Sequence, residues 1–203
     1  MKRNRWTEMK VIGITGGVGS GKSVILSILK EEYGAETILA DLVAHDLMEP
    51  GAKSYVEIVE NFGSNILKED GSIDRQKLGS IVFGDKEKLE QLNSITHPNV
   101  KEEIKHRITR IKEKGEVSMI VLEAALLIES GYQDVYDELW YIYVNQETRY
   151  ERLWKGRGYT KEKTDSIMKN QLSEEEFREH AHFVIDNSYD IANTKEQIQK
   201  ILM

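Results

Sequence analysis

The chain has 203 residues, no cysteine, and 28 Lys and Arg against 35 Asp and Glu, which gives a formal net charge of −7. That length carries one domain with a small insertion. The 39% hydrophobic and 31% charged composition excludes global disorder, a disulfide scaffold, a zinc–cysteine site and a cysteine nucleophile. The acidic balance argues against a broad nucleic-acid surface, and the apolar runs fall far short of the roughly 20 residues of a bilayer span, so neither nucleic acid nor membrane is an expected partner. Residues 1–8 are basic and polar, lack the apolar core of a signal peptide, and read as a tail upstream of an alternative start at Met9; a cytoplasmic chain is expected.

In chain order, residues 10–15 form a short β-branched run that ends in glycines, and residues 24–30 continue as a helix that Gly34 stops. Residues 36–41 read as a second strand with Asp41 at its carboxyl end and another helix close behind. From Glu49-Pro50-Gly51 to about Pro98 the pattern is helical but broken at Asn61-Phe62-Gly63 and Glu69-Asp70-Gly71, as in an inserted helical region. Ile104, Ile108 and Ile111 set an amphipathic helix over 99–114. The continuous apolar run 118–123 suits a central parallel strand, 139–144 and 183–187 are further strands, and a helix over 195–202 closes the chain. Strands alternating with helices over the whole length predict an α/β fold with a parallel sheet flanked by helices.

The segment Gly16-Gly17-Val18-Gly19-Ser20-Gly21-Lys22-Ser23 matches the full G-x-x-x-x-G-K-[ST] pattern between a predicted strand and a predicted helix. Such a P-loop turns backbone N–H groups inward around a polyphosphate, and the helix that follows adds its positive end. Gly17 to Val24 are therefore the expected ATP contacts, with Lys22 on the β- and γ-phosphates and the Ser23 hydroxyl on a Mg²⁺ ion. The guanine-reading and switch strings of a regulatory GTPase are missing, and the strand 118–123 ends in the single acid Glu123, unlike the paired acids of motor ATPases. A small-molecule kinase fits better. Transfer to an alcohol needs a carboxylate near the acceptor, and Asp41 is the candidate, although an Asp at that point also serves as a helix N-cap. Arg149, Arg152, Lys155 and Arg157 run into Gly156 and Gly158, which marks residues 153–171 as a lid and Arg157 as its cation.

The ordered set Ile14-Thr15-Gly16 to Ser23, Ala40-Asp41-Leu42-Val43-Ala44-His45, Glu49-Pro50-Gly51, Thr96-His97-Pro98, Leu126-Leu127-Ile128-Glu129 and Phe183-Val184-Ile185-Asp186-Asn187 resembles the dephospho-coenzyme A kinase family over nearly the whole chain. The resemblance implies transfer of the ATP γ-phosphate to the ribose 3′-hydroxyl of dephospho-coenzyme A, with core, substrate-binding helices and lid. It implies Asp41 as the base, Thr15 as a polar contact below the transferred phosphoryl and Arg157 as the lid arginine. It also implies that His45, His97, Leu126 and Glu129 lie toward the acceptor and Asn187 toward the donor adenine. Glu123 would hold the metal through water. The core then spans about 9–45, 99–150 and 180–203, the substrate region about 46–98, and the oligomeric state stays open.

Three departures mark this chain. Leu39 replaces an acid usual in the family, Glu123-Ala124-Ala125-Leu126-Leu127-Ile128-Glu129 lacks the usual proline and aromatic ring, and Val24 replaces a commoner Thr. Two other readings share the loop: a kinase of a nucleoside or nucleotide, and an ATP-dependent switch or binding module without acceptor transfer.

Overall fold

The computed structural model describes residues 8–124 and 126–203, so nearly all of the basic tail, and Ala125 among the family departures, lie outside the described residues. Strand β1 (Lys10–Thr15) runs through the glycine loop into α1 (Lys22–Tyr33), which Gly34 ends in the left-handed conformation at φ 68°. Then come β2 (Glu36–Leu39), α2 (Ala40–Leu47), α3 (Lys53–Phe62), a 3-10 turn (Ser64–Ile66), α4 (Arg75–Val82) and α5 (Lys86–Lys114). The chain finishes with β3 (Met119–Glu123), β4 (Glu138–Tyr143), α6 (Gln146–Arg157), α7 (Lys161–Met168), α8 (Glu174–His180), β5 (Phe183–Asp186) and α9 (Ile191–Leu202).

The five strands lie in the order β2-β3-β1-β4-β5, and β1 pairs in parallel with β3 (Ile12 opposite Val121) and with β4 (Ile14 opposite Trp140). Helices pack on both faces of a parallel sheet, so its inner strands have no solvated face, and β1, β3 and β4 are apolar almost without interruption. Successive residues point to opposite faces. Ile12, Ile14, Val121, Trp140 and Ile142 therefore share one core with Ile25 and Leu29 of α1 and Ile198 and Leu202 of α9. Trp140 fills the middle of that core, fully buried, with its indole N–H donating to Glu138 Oε2 at 3.3 Å and its ring edge-on to Phe183. On the next residue the direction reverses, and Tyr141 stacks on Phe177 of α8 at 4.7 Å between centroids.

The chain divides into two units, one formed by residues up to Ile38 together with Ile111–Met203, the other by Leu39–Arg110. The second unit has its own small core, in which Ile58, Ile66, Ile73, Leu78, Val82 and Ile95 pack together. Its helices are tied by polar contacts. The buried Asn99 donates to Ser54 Oγ at 3.3 Å and Glu57 Oε2 at 3.1 Å, and Arg107 bridges Asp46 and Glu103 at 2.8 and 2.9 Å. The hydrogen bond to the Glu103 carboxylate raises the Arg107 pKa further, so the guanidinium of this clamp stays charged.

The helix expected over residues 99–114 starts instead at Lys86 and carries Pro98 in its interior. Proline lacks the N–H of a continuing helix and costs about 3 kcal/mol there. Tertiary contacts on both sides of it hold the helix together: Ile95, Asn99, Val100, Ile104 and Ile108 are all buried. Two more expectations shift. Strand β2 stops at Leu39, two residues early, and the short α8 between lid and β5 gave no apolar period of its own to announce it. Replacing Trp140 with Ala should remove about 3–5 kcal/mol of stability in urea unfolding; a loss below about 1 kcal/mol would mean the sheet core does not depend on that ring.

Candidate active site

The loop between β1 and α1 lies at the carboxyl end of the central strand, where an open α/β sheet leaves its binding crevice. Gly21 is the N-cap of α1 at φ 83°, and among the described residues no side chain caps the helix, so its positive N-terminal end faces the loop. A Cβ on Gly21 would stand 2.3 Å from Asn187 Nδ2, and one on Gly19, at φ 78°, would stand 2.9 Å from Leu153 Cγ. Both positions require glycine for conformation and for space. Lys22 reaches back across the loop to donate to the Gly16 carbonyl at 2.8 Å and lies 3.6 Å from Glu123 Oε1 at the end of β3. Two buried hydroxyls in this region, Thr15 Oγ1 and Ser20 Oγ, have no hydrogen-bond partner among the described residues. Buried polar atoms in native proteins are nearly always bonded, so such a pair beside the positive end of a helix marks a place where a polar ligand completes the structure.

Asn187 is almost wholly buried and every group on it is used: Nδ2 donates to the Ser20 carbonyl at 2.8 Å, Oδ1 accepts from Thr194, and its backbone carbonyl accepts from Arg152 at 2.8 Å. It fastens the back of the loop to α9. Helix α6 closes the other side with Arg149, Arg152 and Leu153, which at spacing i, i+3 and i+4 share one face. Arg149 NH1 would lie 3.2 Å from a Cβ on Gly17, and Gln171, just past α7, accepts from the Val18 N–H at 3.3 Å. Arg149 also borders a cavity of about 380 Å³ walled by Tyr141, Met168 and Phe177. Burial pushes the Tyr141 hydroxyl pKa up, with Arg149 acting weakly against that shift, so the phenol is neutral. Arg157, by contrast, is exposed in the last turn of α6 with its guanidinium 5.9 Å from the Tyr159 ring. Gly156 is an ordinary helical residue of α6, and only Gly158, the C-cap at φ 64°, breaks the chain there.

The remaining candidates are spread over both units. Ser23 and Val24 open α1, Ser23 exposed; Leu126 and Glu129 are exposed in the turn after β3. In the second unit Asp41 lies in the first turn of α2, two residues beyond the N-cap Leu39, and makes no cap. One turn on, His45 pairs with Glu49 at 3.3 Å and borders a cavity of about 480 Å³ with Lys68, Ile73 and Arg75. His97 is exposed on α5. Arg149, Arg152, Gln171 and Thr194 were not singled out individually from sequence as loop contacts; the i, i+3 spacing of the two arginines was the available signal for that pair.

The model of the dephospho-CoA kinase family matches residues 10–193. This chain belongs to that family. It is 44% identical over 194 residues to dephospho-CoA kinase of Carboxydothermus hydrogenoformans, covering 96% of this chain and 93% of the relative. With the Aquifex aeolicus dephospho-CoA kinase it shares 42% identity over 95% of this chain and 96% of the relative. A solved dephospho-CoA kinase from Campylobacter jejuni superposes with a TM-score of 0.69 at 29% identity, over 95% of this chain and 96% of that one. In this kinase chain Gly21→Ala should weaken ADP binding at least about tenfold by calorimetric titration, since it combines a disfavoured φ with a clash on Asn187. Unchanged affinity would show that the loop does not need the tight Gly21–Asn187 approach.

Proposed function

We infer that this chain transfers the γ-phosphoryl group of ATP to the ribose 3′-hydroxyl of dephospho-coenzyme A, releasing coenzyme A and ADP. The observation that carries this reading is a complete phosphate loop, with unbonded Thr15 and Ser20 hydroxyls beside it, in a chain whose family match runs through residues 10–193. A kinase of another small acceptor or an ATP-dependent switch would share the loop, but neither accounts for that full-length match.

In this reading the loop amides, the start of α1 and Lys22 hold the triphosphate, and Thr15 lies below the moving phosphoryl. The bond from the γ-phosphorus to its bridging oxygen breaks, with the electron pair leaving on ADP, while the acceptor oxygen bonds to phosphorus and gives up its proton. Asp41, an exposed carboxylate of α2, is the proposed acceptor of that proton, and Arg157 the lid cation. We assign residues 46–98 to acceptor binding and 153–171 to the lid, with His45, His97, Leu126 and Glu129 on the acceptor side and Asn187 on the donor side.

Magnesium fits the donors at the loop. The Ser23 hydroxyl is exposed and the Glu123 carboxylate partly so, a sparse set of oxygens that suits an ion which keeps most of its waters and takes the rest of its shell from phosphates. Ser23 would hold Mg²⁺ directly and Glu123 through water; bound there, the ion neutralises charge on the β- and γ-phosphate oxygens. No described helix is long and apolar enough to cross a membrane. We assign the chain to the cytoplasm.

Incubation with ATP, Mg²⁺ and dephospho-coenzyme A should give coenzyme A by mass spectrometry, and Asp41→Asn should reduce its rate about 10²-fold or more with ATP affinity kept. Lys22→Ala should weaken ATP binding itself. ADP release without a phosphorylated acceptor would refute the assigned reaction, and full turnover in Asp41→Asn would refute the base.

A further inference from the structure

Arg149 presents an energetic problem. The residue is only 9% exposed; its side-chain hydrogen bond among the described residues goes to the Val144 carbonyl, at a limiting 3.5 Å, and the Tyr141 hydroxyl is its other polar neighbour. Neither is an anion, and among the described residues Nε has no hydrogen-bond partner. A guanidinium brings five N–H donors and a charge that is costly to remove from water unless something pairs with it. Such a group is retained where an anion arrives during function.

The surroundings identify where that anion binds. Arg149 NH1 and Gln171 Oε1 lie 3.2 and 2.9 Å from one point, the place a Cβ on Gly17 would take. The same Gln171 oxygen accepts from the Val18 N–H of the phosphate loop. A neutral carbonyl oxygen thus sits on a loop amide beside a buried cation, where a phosphoryl oxygen would satisfy both. The 380 Å³ cavity bordered by Arg149, Met168 and Gln171 gives the carboxamide room to swing aside.

We propose that Arg149 is a further catalytic residue, whose guanidinium binds the γ-phosphoryl oxygens in transfer, and that Gln171 holds their place on the Val18 amide until nucleotide arrives. The assignment rests on the kinase reading above and adds to the lid a cation already buried against the loop before it closes. A planar fork matches two phosphoryl oxygens at once, which a lysine at the same position does not.

The test compares wild type, Arg149→Lys, Arg149→Met and Gln171→Ala in two assays. In the first, without acceptor, affinities for ADP and for the β,γ-methylene analogue of ATP are measured by calorimetry; the two ligands differ by the terminal phosphoryl group. Both Arg149 variants should lose at least about tenfold in preference for the analogue while ADP affinity stays within about twofold. In the second, turnover with dephospho-coenzyme A should fall about 10²-fold in both, the scale of one lost oxyanion donor. Gln171→Ala should bind the analogue more tightly than wild type. Equal loss of both ligands, or a lowered thermal midpoint with preference and turnover intact, would make Arg149 a strut and overturn the proposal. Weaker binding in Gln171→Ala would overturn the placeholder. Because the first assay needs no acceptor, a wild type that prefers the analogue but leaves dephospho-coenzyme A untouched would sink the assigned reaction and still support Arg149.

Discussion

The site depends on how closely the backbone at Ser20-Gly21 approaches the side chain of Asn187. The carboxamide donates to the Ser20 carbonyl at 2.8 Å and leaves no space for a side chain on Gly21. That contact fixes the rear of the loop, and with it the direction in which α1 starts and its positive end points. Asn187 is itself positioned by the sheet: its N–H donates to the Tyr143 carbonyl at the end of β4, one strand away from β1. A loop that has to bind polyphosphate without reorganising is thus clamped by a residue 167 positions away in the chain. Preorganisation of this kind is where the folding energy of the sheet becomes catalytic capacity.

The central strands and the loop were legible because their signals are local. Continuous β-branched runs, glycines before a lysine and serine, and Gly34 at a helix end each carry their meaning within about ten residues. The clamp was not. Family resemblance places Asn187 toward the donor adenine and does not announce its contacts to Ser20, Arg152 and Thr194. Helix α5 was cut short at Pro98 because local propensity argues for a break, and what overrides it is burial of residues on either side. Arg149 and Arg152 read as two charges in a basic run; their facing the loop follows from the phase of α6, which Leu153 sets by packing on Gly19.

The second unit illustrates a different balance. Its core is small, and much of its order comes from Asn99, Arg107 and the cap of α4, where Asp74 accepts from the Gln76 and Lys77 amides. Polar ties of this sort hold geometry with little apolar area, which suits a segment whose cavity is lined by His45, Glu49, Lys68 and Arg75. Sequence periodicity located its helices approximately and said nothing of these ties, because the partners lie up to 61 residues apart.

Tryptophan placement has an optical consequence. Trp140 is sealed in the sheet core, while Trp154, on the same helix as Arg149 and Arg152, is 62% exposed. An aqueous quencher such as iodide reaches the second ring and not the first. The third tryptophan, Trp6, lies outside the described residues; once it is replaced by Phe, emission from the two rings separates changes at α6 from unfolding of the sheet, so that movements of the helix bearing the loop cations leave a spectroscopic trace without any added label.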